Sequence, residues 1–298
     1  MSSARDQYEH PEPHAHQTRH LRLHVAQCSM AIWESVVCEY PYSCGAGSRM
    51  PRCRSPARQA GRQHPTFEAS KEFQLVLTTI ARTVVPVLGR LTVTTGTVGA
   101  IAPGSVVAPN HTALIDPGLV LTALRGLGAE PVVLATAGLW RVPFLGRFLT
   151  REGHIPVHRG SRHAAQALDL ASQALAAGRV VVIYPEGGIP WRRDSGDRAP
   201  ESFRTGVARL ALATGAPVVP LGHAGARRII SGSVPKQIGG LLTAPLRRPA
   251  LHVHLADPIH LTGDLPTATA RLHAAVQHAW QHAVSQLPAP TSPAQPAR

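Results

Sequence analysis

Six short runs of β-branched and other apolar residues, separated by segments with helical periodicity, constrain the fold of this chain most strongly. Several runs are apolar throughout, as in Arg179–Pro185 (RVVVIYP), and such runs predict strands that are covered on both faces. The predicted strands are Ser105–Pro109, Pro131–Thr136, His154–His158, Arg179–Pro185, Pro217–Gly222 and Leu251–Ala256. Strands that alternate with helices favour an α/β fold, a mixed and mostly parallel sheet covered by helices.

Helical spacing is clearest between the third and fourth runs, in Arg162–Gly178. Its apolar positions share one face, and Gly178 can end the helix; these positions are Ala164, Leu168, Ala171 and Leu175. Other predicted helices are Pro117–Gly126, Arg204–Gly215 and, near the end of the chain, about Thr267–Leu287.

The composition changes along the chain and divides it into three parts. Residues 1–68 are rich in His, Arg, Ser and Pro without a sustained period, which predicts a disordered leader. Residues 69–286 carry the predicted folded domain, and 287–298 a disordered tail. Histidines recur in the leader at spacings that would allow metal binding on a helix, but biased composition is the favoured interpretation, and we expect no metal site. The first residues lack a secretory signal pattern, so we expect a cytoplasmic location.

The net charge of +13 predicts an acidic partner. Aromatic residues make up only 4% of the chain, which offers few platforms for stacking bases, so we expect no nucleic-acid partner and favour an anionic membrane surface or a phosphorylated ligand. The segment Phe73–Val93 is apolar but interrupted by Arg82, Pro86 and Arg90, and it is unsuited to spanning a bilayer. Its pattern fits a helix lying on a membrane and a helix packed on the core equally well.

Polar residues with catalytic potential follow the first predicted strand, in Asn110–Asp116. A histidine at neutral pH can take a proton from a hydroxyl, and a carboxylate bound to its other ring nitrogen fixes the tautomer. His111 and Asp116 are the candidates for this pair. Taken alone, the pattern also fits a simple turn with a helix cap.

Two further strand ends carry unusual residues. Arg159 follows the strand His154–His158 and precedes a helix, where a guanidinium suits a phosphate. Glu186 and Gly187 follow the most apolar strand, where glycine allows a close backbone approach and the carboxylate can orient a neighbour. A surface arginine and a plain tight turn are the respective alternatives.

Together and in this order, these motifs resemble those of the glycerolipid acyltransferase family, the 1-acylglycerol-3-phosphate acyltransferases, over roughly residues 107–221. The family's Asn-His-x4-Asp motif is met by Asn110, His111 and Asp116. Its later motifs are met by Gly153–Arg159, Tyr184–Gly187, the pair Phe203 and Gly206, and Pro217–Pro220.

The resemblance implies an acyltransferase of phospholipid biosynthesis. His111 would deprotonate the acceptor hydroxyl, oriented by Asp116, for attack on the thioester of acyl-CoA or acyl-carrier protein. Arg159 would hold the phosphate of a lysophosphatidic acid or related lysolipid, while Glu186 and Gly187 would shape the acceptor site. The other motif residues assigned to substrate binding are Asn110, Phe203 and Gly206. The resemblance implies no metal and no organic cofactor, and a peripheral or monotopic position on the cytoplasmic face of a membrane.

The chain departs from the family pattern directly after Gly187. Gly188 and Ile189 stand where the family has Thr-Arg, which removes one hydroxyl and one cation from the phosphate side. The departure leaves open an acyltransferase with a non-phosphorylated lipid or metabolite acceptor. A basic membrane-binding protein that keeps the fold without the activity is a separate alternative, and the intact His111 and Asp116 argue against it.

Overall fold

A seven-stranded mixed sheet forms the centre of the protein in a computed structural model. The structure describes residues 85, 87–97, 99–159, 164–190, 194 and 196–288. The strands are β1 (Arg90–Thr95), β2 (Val106–Pro109), β3 (Pro131–Thr136), β4 (Ile155–Val157), β5 (Val180–Val182), β6 (Val218–Ala224) and β7 (Ala250–Leu255). Their order in the sheet is β1-β7-β6-β2-β5-β3-β4.

Five neighbouring strands, from β6 to β4, run parallel to one another. β7 pairs antiparallel with β6, and β1 pairs parallel with β7. The predicted fold class, an α/β protein with a mixed and mostly parallel sheet, is confirmed, and all six predicted strands are present. The carboxyl ends of β2, β5 and β6 therefore lie side by side. The side of the sheet on which these strands end is called here the catalytic edge.

Helices cover both faces of the sheet. They are α1 (Asp116–Gly126), α2 (Leu145–Arg151), α3 (Ala164–Ala176), α4 (Gly206–Thr214), α5 (Val234–Arg247) and α6 (Leu265–Ser285). α1 and α5 contribute to one buried apolar cluster, and α3, α4 and α6 contribute to the other. The central strands feed both clusters: on β2, Val107 packs into the first cluster and Val106 and Ala108 into the second. Burial on both sides explains why these strands are apolar throughout.

All four predicted helices form, with bounds that differ from the predicted ones by at most about two residues. α3 buries Ala171 and Leu175, and Gly178 ends it with a φ of +74°. Asp264 caps α6 by accepting a hydrogen bond from the backbone N–H of Thr267 at 2.9 Å. α6 lies so close to β6 that a Cβ on Gly222 would stand 2.1 Å from the backbone of Ala279.

The main correction to the predicted elements concerns the segment Phe73–Val93. Its last four residues belong to strand β1, which pairs with β7 residue by residue from Arg90 opposite Ala250. The prediction that the whole segment is one helix is therefore wrong at its carboxyl end. Strand β1 and helices α2 and α5 were not predicted.

Several other predictions fall outside the described residues. The leader 1–68, with its cysteines and histidines, and residues 289–298 of the tail lie there. Within the described part of the chain, no helix is long and apolar enough to cross a membrane.

Candidate active site

The predicted motif residues after β2 and β5 lie side by side at the catalytic edge, because these two strands are parallel neighbours. A narrow cleft opens there. Its lining residues come from three chain segments: His111 and Thr112 after β2; Glu186, Pro190, Arg198, Ala199 and Pro200 after β5; and Arg227 after β6.

His111 and Asp116 form the predicted pair. Nδ1 of His111 lies 3.0 Å from Oδ2 of Asp116, which is the first residue of α1. The carboxylate is fully buried, whereas the imidazole is 12% exposed. Because Nδ1 is engaged with the carboxylate, Nε2 is the ring nitrogen that can take a proton at the cleft.

The turn between His111 and Asp116 is closed by the same carboxylate oxygen. Oδ2 of Asp116 accepts hydrogen bonds from the backbone N–H groups of Thr112 (2.5 Å) and Ala113 (2.8 Å). Burial raises the pKa of Asp116, but the nearby His223 ring, the His111 hydrogen bond and charge, and the Thr112 N–H outweigh it and hold the pKa below its usual value. Asp116 is therefore ionised at neutral pH and can stabilise an imidazolium on His111.

His223, at the end of β6, is a second histidine beside Asp116. It is fully buried, and its Nε2 lies 2.7 Å from the backbone oxygen of Asn110 and 3.5 Å from Oδ2 of Asp116. The amide of Asn110 bonds the His223 backbone in both directions, donating to its C=O (3.1 Å) and accepting from its N–H (2.8 Å). Asn110 thus joins β2 to β6 behind the catalytic turn; its predicted contact with substrate stays a prediction.

Glu186 holds the other side of the turn. Its Oε1 accepts from the backbone N–H of His111 at 2.6 Å, and its Oε2 accepts from the N–H of Glu201 at 3.2 Å. Burial raises the pKa of Glu186, and the two hydrogen bonds oppose that rise. Gly187 adopts a φ of +72°, and a Cβ there would stand 2.7 Å from Cδ of Arg204. The position favours glycine because of its left-handed backbone conformation.

Tyr184 covers one face of the His111 ring. The two ring centroids are 4.2 Å apart and the planes are tilted by 32°. Burial, and secondarily the charge of Asp116, raise the pKa of Tyr184 well above its usual value, so the phenol is neutral. The aromatic face shields one side of the imidazole from water.

Arg227 fixes the segment that closes the cleft. Its guanidinium donates to the backbone oxygens of Thr112 (3.1 Å), Gly196 (3.0 Å) and Asp194. The side chain is 3% exposed although it is charged. These bonds tie the catalytic turn to the loop that carries Arg198.

The remaining predicted residues lie away from the cleft lining. Arg159 is exposed two residues after the end of β4, which lies three strands from β2 and so about 14 Å away at a strand spacing of about 4.8 Å. Phe203 packs edge-on against the ring of His273, with centroids 4.7 Å apart. Gly206 begins α4, and a Cβ there would have no neighbour within 4 Å. Substrate contacts of these three residues stay predictions.

Comparison with known proteins gives concordant results. Residues 90–224, from the start of β1 to the end of β6, match the family model described as Acyltransferase. This part of the chain is therefore similar to the acyltransferase family. The 1-acyl-sn-glycerol-3-phosphate acyltransferase of Borreliella burgdorferi is 32% identical over 117 residues, which are 39% of this chain. The match spans 44% of that relative's length.

A solved structure shares the fold of this chain. The crystal structure of the 1-acyl-sn-glycerophosphate (LPA) acyltransferase PlsC from Thermotoga maritima superposes with a TM-score of 0.55 and 15% sequence identity. The superposition covers 75% of this chain and 86% of that one. The resemblance to glycerolipid acyltransferases is thus confirmed for the family and for the fold.

Two residues at the site, His223 and Arg227, were not predicted from the sequence. Both follow the predicted strand Pro217–Gly222, and polar residues after an apolar strand are the signal that would have indicated them. Within the described residues, no group of three or more His, Cys, Asp or Glu side chains is placed to hold a metal ion.

Proposed function

We propose that this protein transfers a fatty acyl group from a thioester donor, acyl-CoA or acyl-carrier protein, to a hydroxyl of lysophosphatidic acid or a related lysolipid. The observation that carries the proposal is the His111–Asp116 pair, with Nδ1 on the buried carboxylate and Nε2 left for the acceptor. The family match supports the same activity.

The reaction that this geometry supports is a direct transfer. His111 Nε2 takes the proton of the acceptor hydroxyl while the hydroxyl oxygen bonds to the thioester carbonyl carbon. The C–S bond then breaks, and the departing thiolate takes the proton back from the imidazolium. Asp116, ionised and bound to Nδ1, stabilises the positive charge that His111 carries between these two proton transfers.

Two arginines near the cleft support an acceptor with an anionic headgroup. Arg198 lines the cleft together with His111 and Glu186. The Arg204 side chain lies against Gly187, next to the position where Ile189 replaces the arginine of the family motif. We infer that Arg198 and Arg204 supply the positive charge that the departure at Gly188 and Ile189 removes.

We place the protein on the cytoplasmic face of a membrane, as a peripheral or monotopic protein. The support is its net charge of +13 and the lipid nature of the proposed acceptor.

The test uses the full chain with acyl-CoA or acyl-carrier protein and follows release of the free thiol. Lysophosphatidic acid is compared with a phosphate-free lysolipid of the same chain length. Thiol release by the wild type should depend on lysophosphatidic acid. Arg198→Ala should raise KM for that acceptor about tenfold or more, because a charge-assisted hydrogen bond is worth about 1.5–3 kcal/mol. Release with the phosphate-free acceptor alone would move the function to the non-phosphorylated class, and no release with any donor would favour a binding role.

A further inference from the structure

Helix α5 has one face against the protein and one apolar face in solvent. On the inner face, Ala244 is fully buried, and a Cβ on Gly240 would stand 2.1 Å from the backbone oxygen of Ile229. The outer face carries large apolar residues at helical spacing, with exposed fractions that rise along the helix: Ile238 (38%), Leu242 (59%) and Leu246 (87%). We call these three residues the α5 stripe. Side chains four residues apart lie on one helix face, so they form a continuous apolar strip.

Helix α5, which carries the α5 stripe, connects two strands at the catalytic edge of the sheet. α5 connects the end of β6 to the start of β7, and these antiparallel neighbours pair there through Ala224 and His252. Arg247, in the last turn of α5, donates to the backbone oxygen of Arg228 at 3.1 Å, one residue after Arg227, which holds the catalytic turn. The helix that exposes the stripe is thus anchored to the segment that carries Arg227.

The chain that enters β1 arrives at the same place. The backbone N–H of Arg90 donates to the oxygen of Pro249 at 2.9 Å, three residues after Leu246. Val87, just before β1, is 47% exposed. The exposed apolar residues near α5 therefore come from two separate parts of the sequence that converge at this edge.

The charged residues of helix α5 are all of one sign. The sequence contains no Asp or Glu between Phe203 and Ala256. Within and directly after α5, the charged residues are Lys236, Arg247 and Arg248, all exposed. An apolar helix face with cations and no acidic residue is complementary to an anionic lipid surface, where the apolar side chains enter the acyl boundary and the cations meet the headgroups.

We propose that the α5 stripe docks the protein onto an anionic lipid bilayer and holds the catalytic edge against it. This inference rests on the proposed function in so far as the acceptor is a membrane lipid. Because the stripe and the cleft share one edge of the sheet, docking through α5 would bring His111 close to the bilayer surface from which the acceptor comes.

The test measures co-sedimentation of the full chain with vesicles. The double variant Leu242→Gln/Leu246→Gln is compared with Leu170→Gln, a matched control because Leu170 is 45% exposed on α3, which packs on the opposite face of the sheet. On phosphatidylglycerol vesicles the double variant should partition at least about tenfold more weakly than the wild type, since burial of even one exposed leucine is worth about a factor of ten. Leu170→Gln should bind as the wild type does. Lys236→Glu should weaken binding roughly tenfold on phosphatidylglycerol and little on phosphatidylcholine.

A second readout separates this inference from the proposed function. Thiol release is measured with a short-chain, water-soluble lysophosphatidic acid, for which docking is not needed. Weaker vesicle binding with unchanged turnover of the soluble acceptor supports docking through α5. If the double variant binds vesicles as strongly as the wild type does, the proposal of docking through α5 is wrong. This holds whether the stripe is covered by residues 73–84 or by a second copy of the chain. Absence of turnover in the wild type would overturn the proposed function alone.

Discussion

Replacement of Asp116 by asparagine removes one negative charge from the buried centre of the site and changes little in shape. Oδ2 of Asp116 bonds Nδ1 of His111 and accepts two backbone N–H groups, from Thr112 and Ala113. An asparagine oxygen can still accept from these donors. The variant therefore tests the charge of Asp116 more than its size.

The expected loss follows from the distance between the two groups. His111 carries a positive charge during the reaction, with Nδ1 3.0 Å from Oδ2. Unit charges about 4 Å apart interact by about 4 kcal/mol at an effective dielectric constant near 20. At about 1.4 kcal/mol per tenfold, loss of this interaction lowers kcat by up to about 10³, and we expect a fall of about 10²–10³.

The assay is thiol release at saturating acceptor, with a thermal or urea unfolding curve of each variant to verify the fold. Asp197→Asn is the matched control, because Asp197 also accepts a backbone N–H near the cleft, from Gly225 at 3.0 Å, but does not bond His111. It should keep kcat within about threefold of the wild type. A folded Asp116→Asn protein with kcat as high as the control would refute the assigned role of the carboxylate.

Two further predictions concern the stability of the fold. His223→Leu should lower the free energy of unfolding by about 1–3 kcal/mol, because it leaves the buried oxygen of Asn110 without its donor, and His223→Gln, which keeps an N–H, should lose less; urea unfolding measures both. Burial, then the charges of Arg125 and Arg179, lower the pKa of His154 to about 4. As the pH falls, His154 therefore takes up its proton in the unfolded chain before it does so in the folded protein. The free energy of unfolding is not reduced by this difference above about pH 6.5, and it decreases as the pH falls towards 4. Urea unfolding at pH 7.5 and pH 4.5 should show a smaller loss in His154→Gln than in the wild type, by on the order of 2 kcal/mol, and an equal loss would contradict the assignment.

Local sequence patterns predicted the centre of the fold well. Strand β3 (Pro131–Thr136) forms with the predicted bounds, since a β-branched run buried on both faces has no competing helical pattern. Helix α3 ends near Gly178 as its sequence indicates. In both cases the signal and the structure that it specifies lie within a few residues of each other.

Strand β1 was missed because its partner is remote in sequence. Arg90–Thr95 follows an apolar segment with helical character, and its extended conformation depends on pairing with Ala250–Leu255. Helix α5 was missed for another reason. Its two adjacent glycines and Pro245 are unfavourable in a helix interior, yet Gly240 is needed where the helix meets the oxygen of Ile229.

The residues of the candidate site also fall into two groups, those with a local sequence signal and those brought together by long-range contacts. The short-range pair His111 and Asp116 could be predicted from a spacing of five residues that the structure closes with one hydrogen bond. His223 joins the site through contacts 113 residues away in sequence, at Asn110. Arg227 likewise reaches Thr112 across 115 residues. Such partners depend on the strand order, in which β6 lies next to β2, and no local pattern specifies that order.

The central claim is that His111 is the base that activates the acceptor hydroxyl. The most direct measurement is thiol release by His111→Ala with acyl-CoA or acyl-carrier protein and lysophosphatidic acid, together with an unfolding curve. Because the imidazole is partly exposed and its removal leaves the backbone bond to Glu186 in place, the variant should fold. Turnover by His111→Ala should lie at least about 10²-fold below that of the wild type, the lower bound for a lost general base. Turnover equal to that of the wild type would contradict it.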